Sequence, residues 1–262
     1  MIGIFDSGLG GLTALKEIRR LFPEESLVYF GDTGRVPYGT RSVQTIGRYA
    51  LQDMAFLTSF PIRAAVVACG TVSTTSLPLL KERFAIPIIG VVEGAVEAAV
   101  RESKTGHIAV IGTSATVASG AFAAAIRHRR PEANVTSIAC PLFVPLVENG
   151  LTDPDDPIPT LIARRYLDPL LDTDADTLIL GCTHYPLLHR VISRLYPHLT
   201  LINTGTEAAR LLRATLPPCK EEQGDAVRYF VSDDVEGFSR SASLFLQTEV
   251  RGSVAKIDIA AY

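Results

Sequence analysis

Two cysteines stand where a pair of acid/base groups would stand. Cys69 ends the run Ala65-Val66-Val67-Ala68-Cys69-Gly70-Thr71, and Cys182 ends Leu178-Ile179-Leu180-Gly181-Cys182-Thr183-His184. Each run reads as a buried strand that stops on a thiol beside small or hydroxylated residues. Two such ends facing each other would set one thiol on each side of a bound carbon. That arrangement takes a proton from one face and returns one to the other. A lone free cysteine is most often a small buried hydrophobe. The matched settings of Cys69 and Cys182 argue for more, whereas Cys140 and Cys219 lack that setting and read as packing residues. Thr71 and Thr183 add hydroxyls and N–H groups suited to an α-carboxylate or α-amine.

Other polar groups fall at neighbouring strand ends. Asp6-Ser7-Gly8-Leu9-Gly10-Gly11 follows the first apolar run and opens a helical pattern. Glycines there let backbone N–H groups approach an anion. The spacing is not the dinucleotide fingerprint, because Thr13 stands at the third glycine, and no Gly-Lys-Ser/Thr makes it a Walker loop. Asp6 is well placed to act on a neighbouring group. Pro37-Tyr38-Gly39, after Gly31-Asp32, reads either as a plain turn or as a wall offering backbone donors to a ligand carboxylate. Gly39 would serve there by permitting unusual dihedrals. His184, two residues after Cys182, is placed to set the protonation of that thiol, since thiol reactivity follows local charge. Glu148 is a candidate to orient His184. His107, His128, His189 and His198 fall in helical or edge settings and need no role. Cys-x-His at 182–184 is too close for the usual ligand pairs, so no metal site is expected. None of the lysines stands at a strand end, as a Schiff-base lysine for pyridoxal would. The expected chemistry is cofactor-free.

The elements that must position these groups follow from the hydrophobic pattern. Strands are expected at Ile2–Phe5, Leu27–Gly31, Ala64–Ala68, Ile86–Val91, His107–Ile111, Asn134–Ile138, Thr177–Leu180, Leu199–Ile202 and Val227–Val231. Helical patterns lie near 10–21, 41–60, 73–84, 92–103, 117–129, 157–171, 185–196, 205–214 and 234–246. Alternating strands and helices indicate an α/β fold with parallel sheets. In such sheets ligands sit at the carboxyl ends of the strands, which is where every motif above falls. The halves repeat the same element order, a weak internal duplication. The expected domains are 1–93 with 205–262, and an inserted unit over 94–204.

The bulk numbers limit the alternatives. The chain has 262 residues, is 47% hydrophobic and carries a net charge of −3. Its pI near 6.0 gives no basic footprint for nucleic acid. No run is long and apolar enough to span a bilayer, and Met1–Asp6 lacks the regions of a signal peptide. Four scattered cysteines make no disulfide framework, so a reducing cytoplasm is the expected home.

Several motifs together resemble the glutamate racemases of the aspartate/glutamate racemase family. They are Phe5-Asp6-Ser7-Gly8-Leu9-Gly10-Gly11-Leu12, Pro37-Tyr38-Gly39, Ala68-Cys69-x-Thr71, Gly90-Val91-Val92-Glu93, Gly112-Thr113-Ser114-Ala115-Thr116, Cys140-Pro141-Leu142-Phe143-Val144 with Val147-Glu148-Asn149-Gly150, and Leu180-Gly181-Cys182-Thr183-His184-Tyr185-Pro186-Leu187. They run in order to about residue 210, and Phe238–Phe245 resembles the family's last helix. The resemblance implies two Rossmann-like α/β domains with parallel sheets, related by pseudo-twofold symmetry, with the site between them. It implies Cys69 and Cys182 as the two acid/bases, Asp6 assisting Cys69, and His184 with Glu148 assisting Cys182. Substrate positions carry over to Asp6, Ser7, Tyr38, Gly39, Gly70, Thr71, Thr183 and His184, with Thr113 and Thr116 nearby and Pro37 in the same wall. It also implies a homodimer, glutamate as the small-molecule partner, and D-glutamate for peptidoglycan as the product. The chain departs from the pattern at Gly70, where the family usually has asparagine, at Gly94 for proline, and at Asn203-Thr204 for Asp-Ser. A racemase acting on aspartate, another cofactor-free enzyme of the superfamily, or a silent binding relative are the other readings.

Overall fold

The computed structural model describes residues 1–217, 226–250 and 252–262; Cys219 lies outside them. The first half runs β1 (Ile2–Asp6), α1 (Leu12–Leu21), β2 (Leu27–Gly31), α2 (Val43–Thr58), β3 (Ala64–Val67), α3 (Gly70–Thr75), α4 (Leu77–Arg83) and β4 (Ile88–Gly90). α5 (Val92–Glu102) then leads to β5 (His107–Gly112), α6 (Ser114–Ala118), α7 (Ala121–Arg129), β6 (Asn134–Ala139), α8 (Phe143–Glu148), α9 (Pro157–Leu167), β7 (Thr177–Leu180), α10 (His189–Leu195) and β8 (Thr200–Asn203). α11 (Thr204–Thr215) returns to β9 (Val227–Val231), α12 (Val235–Leu246) and β10 (Val254–Lys256).

These strands make a six-stranded sheet, β10-β9-β2-β1-β3-β4, and a four-stranded sheet, β6-β5-β7-β8. Every ladder is parallel. The order β2-β1-β3-β4 recurs as β6-β5-β7-β8, so β3 and β7, which precede the two cysteines, hold equivalent places. β1, β2, β3, β5 and β7 are buried at every residue. That is why they read as unbroken apolar runs. One apolar cluster joins Ile4 and Leu15 of the first half to Leu178 and Tyr185 of the second, so the core is continuous between the sheets.

The pattern over 73–84 is two helices, α3 and α4, which break at Ser76 with Pro78 in the first turn of α4. The pattern over 117–129 is also two, α6 and α7, which break at Gly120 with φ +65°. α8 and β10 carry no periodic signal, because six and three residues are too few to show one. His107 is not at an edge: β5 lies between β6 and β7. Its buried ring is held by Asp174 at 2.6 Å and Thr136 at 2.8 Å.

Leu178 is fully buried in β7, directly upstream of Cys182. Leu178→Ala is expected to leave a cavity that costs roughly 2–5 kcal/mol. Denaturant unfolding with an unchanged m-value would show this as a lowered midpoint.

Candidate active site

A cavity of about 340 Å³ lies between the carboxyl ends of the two sheets. That volume suits a small molecule. Cys69, Gly70 and Thr71 line it from the β3–α3 turn, and Cys182, Thr183 and His184 line it from the turn after β7. The two thiols therefore reach one cavity from different sheets. Both are nearly closed to solvent, at 5% and 7% exposure.

Around Cys69, the Sγ–H points to Ser7 Oγ at 3.5 Å. Asp6 ends β1 beneath the glycine loop, where its Oδ2 accepts from the Gly8 N–H at 3.0 Å. Its Oδ1 is buried without a hydrogen-bond partner. Around Cys182, the sulfur lies 3.8 Å from His184 Nδ1. His184 Nε2 lies 3.1 Å from Glu148 Oε1. Phe245 of α12 packs edge-on against the His184 ring, with centroids 5.2 Å apart. The C-terminal helix thus braces a group that belongs to the opposite sheet.

The halves meet through backbone and hydroxyls. Thr13 Oγ1 donates to the Thr183 carbonyl at 2.9 Å. The hydroxyls of Thr71 and Thr113 are 3.0 Å apart, and Thr113 is in turn 3.0 Å from Thr116. The Pro37–Gly39 wall rests on a buried ionic network. Arg35 meets Asp32 at 2.6 Å, Asp53 at 2.8 Å and Gln52 at 2.6 Å. The Tyr38 hydroxyl lies between Asp32 and Asp53, donating to Asp32 and lying 3.0 Å from Asp53 Oδ2.

A family description, Asp/Glu/Hydantoin racemase, matches residues 12–212. A glutamate racemase of Geobacter metallireducens is 44% identical over 266 residues, covering 99% of this chain and 97% of the relative. The chain belongs to the Asp/Glu/hydantoin racemase family. Among solved structures, the glutamate racemase of Francisella tularensis in complex with D-glutamate superposes with a TM-score of 0.90. It is 34% identical, over 100% of this chain and 98% of that one. Glutamate racemase isoform RacE1 of Bacillus anthracis superposes with a TM-score of 0.91 at 39% identity, over 98% and 97%.

Most residues singled out in the sequence line the cavity of this racemase-family chain. Ser7, Pro37, Tyr38, Gly39, Gly70, Thr71, Thr113, Glu148, Thr183 and His184 all do so beside the cysteines. Asp6 and Thr116 stand one layer back, behind Gly8 and Thr113. Tyr38 has its hydroxyl committed to the two carboxylates, so ring and backbone atoms are what it offers a ligand. Gly39 does not adopt a left-handed conformation. Its lack of a side chain matters for space, since a Cβ would come within 2.9 Å of Thr113 Cβ. Cys140 is fully buried; its Sγ–H points to the Ile138 carbonyl at 3.8 Å and its own carbonyl accepts from the Tyr185 hydroxyl at 2.9 Å. Val36, Ser114, Val144 and Gly181 also line the site. The Arg35–Asp53 support had no signal beyond a carboxylate inside the apolar stripe of α2. Among the described residues no group of three or more His, Cys, Asp or Glu side chains could hold a metal ion. No described helix is long and apolar enough to cross a membrane.

The charges around the thiols differ. Burial, then the Asp6 carboxylate, pushes Cys69 up to about 12. Asp6 is itself raised by burial, against a lowering pull from His184 and from backbone N–H groups. Burial alone would lower His184, but the Cys182 and Glu148 contacts, with the Asp6 charge, outweigh it and hold the imidazole at about 10. These contacts favour the protonated ring. Its folded value exceeds the ordinary 6.5, so its contribution to stability is complete below about 6.5 and is lost as pH rises through about 10. NMR titration of the His184 ring should give a pKa near 10, and Glu148→Gln should lower it. The denaturation midpoint should fall between pH 7 and pH 10, and fall less in Glu148→Gln.

Proposed function

We propose that this chain is a cofactor-independent glutamate racemase that interconverts L- and D-glutamate with two cysteines as its bases. The observation that carries this reading is one cavity reached by Cys69 from the larger sheet and Cys182 from the smaller. Relatives named as glutamate racemases over nearly the full length support the choice of substrate. In this reading the Cys69 thiolate takes the α-proton and becomes a thiol. The electron pair left on Cα is then protonated from the other face by the Cys182 thiol, which becomes a thiolate. The reverse direction exchanges the two roles.

Asp6 accepts the Cys69 proton once substrate is bound, because a thiol held at about 12 beside a carboxylate does not ionise unaided at neutral pH. The His184–Glu148 pair supplies and removes the proton at Cys182. Ser7, Thr71, Thr113 and Thr183 offer hydroxyls to the amine and carboxylate of the substrate. Pro37, Tyr38, Gly39 and Gly70 offer backbone and shape, and Thr116 fixes Thr113. The carbanion is very unstable, so oriented donors and a site shut to water are required. The same reading divides the chain into 1–93 with 205–262, and 94–204. It also carries a homodimer, a cytoplasmic home consistent with free thiols, and D-glutamate supplied for peptidoglycan.

Either enantiomer of glutamate incubated in deuterium oxide should gain deuterium at Cα with inversion, and aspartate should not. Cys69→Ser and Cys182→Ser should each lower racemisation by roughly 10²–10⁴-fold. Full racemisation by either variant, or turnover of aspartate in preference to glutamate, overturns the assignment.

A further inference from the structure

The wall residues Pro37, Tyr38 and Gly39 stand on a buried cluster in which the hydrogen atoms can be counted. Asp32, directly after β2, and Asp53, within α2, are both fully buried. Asp32 accepts from three donors: Arg35 Nε at 2.6 Å and the Tyr38 hydroxyl at Oδ2, and the Ser232 hydroxyl at Oδ1, 2.7 Å away. Asp53 has two polar neighbours: its Oδ1 accepts from Arg35 Nη2 at 2.8 Å, and its Oδ2 lies 3.0 Å from the Tyr38 hydroxyl oxygen. A phenol carries a single hydrogen, and that of Tyr38 goes to Asp32, the nearer of the two carboxyl groups. Arg35 has nothing left for Asp53 Oδ2, since its Nη1 donates to Gln52 at 2.6 Å. An ionised Asp53 would therefore turn one oxygen toward a phenol lone pair, with no hydrogen between them.

We propose that Asp53 is a positioning residue that works as a neutral carboxylic acid: its Oδ2–H donates to Tyr38, whose own hydroxyl donates to the Asp32 carboxylate. Oδ1 of Asp53 is then a carbonyl oxygen and keeps its bond from Arg35. The charge closes as well. Asp32 and Arg35 make one ion pair, and Asp53 adds nothing to it. Two ionised carboxylates would leave a surplus negative charge in the interior, where an unpaired charge is costly. The groups that face Asp53 favour the proton: burial, then the Asp32 charge, and more weakly Asp6 raise its carboxyl well above the usual range, against the pull of Arg35 and the Tyr38 hydrogen bond. Arg48, over the Tyr49 ring at 5.4 Å, is exposed to solvent. The consequence falls on the wall of the cavity, and this part rests on the racemase reading above. Tyr38 and Gly39 offer backbone to a substrate carboxylate. A surplus charge behind them would repel that carboxylate, and loss of the Asp53 proton would release Tyr38 from α2.

Infrared difference spectroscopy of the ligand-free protein locates the proton. The spectrum of the unsubstituted protein minus that of Asp53→Asn should hold the C=O stretch of a protonated carboxylic acid at neutral pH. A difference that holds only carboxylate bands overturns the proposal. Asp53→Asn keeps an N–H donor for Tyr38 and a carbonyl acceptor for Arg35, so it should fold, and failure to fold also overturns the proposal. Asp53→Leu removes donor and acceptor at similar volume. The KM for glutamate should rise by about 10-fold, the worth of one or two hydrogen bonds, with a smaller change in kcat. Asp53→Asn should recover most of that loss, because the amide replaces the neutral acid and not a carboxylate. A KM in Asp53→Asn raised as far as in Asp53→Leu counts against the proposal. If Asp53→Leu does not fold, the infrared band and the KM of Asp53→Asn decide. If the unsubstituted protein does not racemise glutamate, the racemase reading fails, and the infrared band still decides the state of Asp53.

Discussion

The approach of the Cys69–Thr71 turn to the Gly181–Thr183 turn is the contact on which the site depends. Each turn follows a strand of its own sheet, so the distance between the thiols is set by how the two sheets sit against each other. Backbone meets backbone at Gly70 and Gly181, and farther along the Gly10 backbone lies against the side chains of Thr183 and His184. A continuous apolar core behind this seam supplies the force that closes it.

The cavity and its wall are built on buried titratable groups. Asp6, Asp32, Asp53 and His184 all lie below a tenth exposure. Buried charges are tolerated when they are paired or otherwise satisfied. The Asp32–Arg35–Asp53 group, tied together by Tyr38, is the satisfied case, and it fixes the wall of the cavity. Asp6 is the unsatisfied one, with an oxygen that has no partner. A carboxylate left short of a hydrogen bond beside a thiol is costly to keep, and perturbed groups of this kind cluster at functional sites. On the other flank, His184 gathers the compensating charge, with Glu148 behind it and Phe245 against its ring.

The internal duplication gives the site its symmetry and its asymmetry together. The shared strand order puts both cysteines after equivalent strands. The neighbours differ: a carboxylate and a serine hydroxyl stand by Cys69, an imidazole and a glutamate by Cys182. Cys140 has the same side chain and full burial, but its carbonyl is tied to Tyr185 and its sulfur lines no part of the cavity.

The central strands and the strand-end positions of Asp6, Cys69, Thr113 and Cys182 were legible in the sequence, because parallel strands buried on both faces are written as unbroken apolar runs. α8, β10 and the helix breaks at Ser76 and Gly120 were not, because short elements are specified by what they pack against. The glycine loop after β1 looked like an anion cradle. In the fold its glycines are spent on closeness, Gly10 against Thr183 and Gly11 against Asp6 and Tyr29. Sequence alone therefore determined which side chains stand at the ends of which strands, since that depends on local periodicity. Only the tertiary structure decided that Cys69 and Cys182 share one cavity, and that Arg35 and Asp53 hold its wall. Those are relations between segments far apart in the chain, fixed by how two sheets pack and not by either sheet's own pattern.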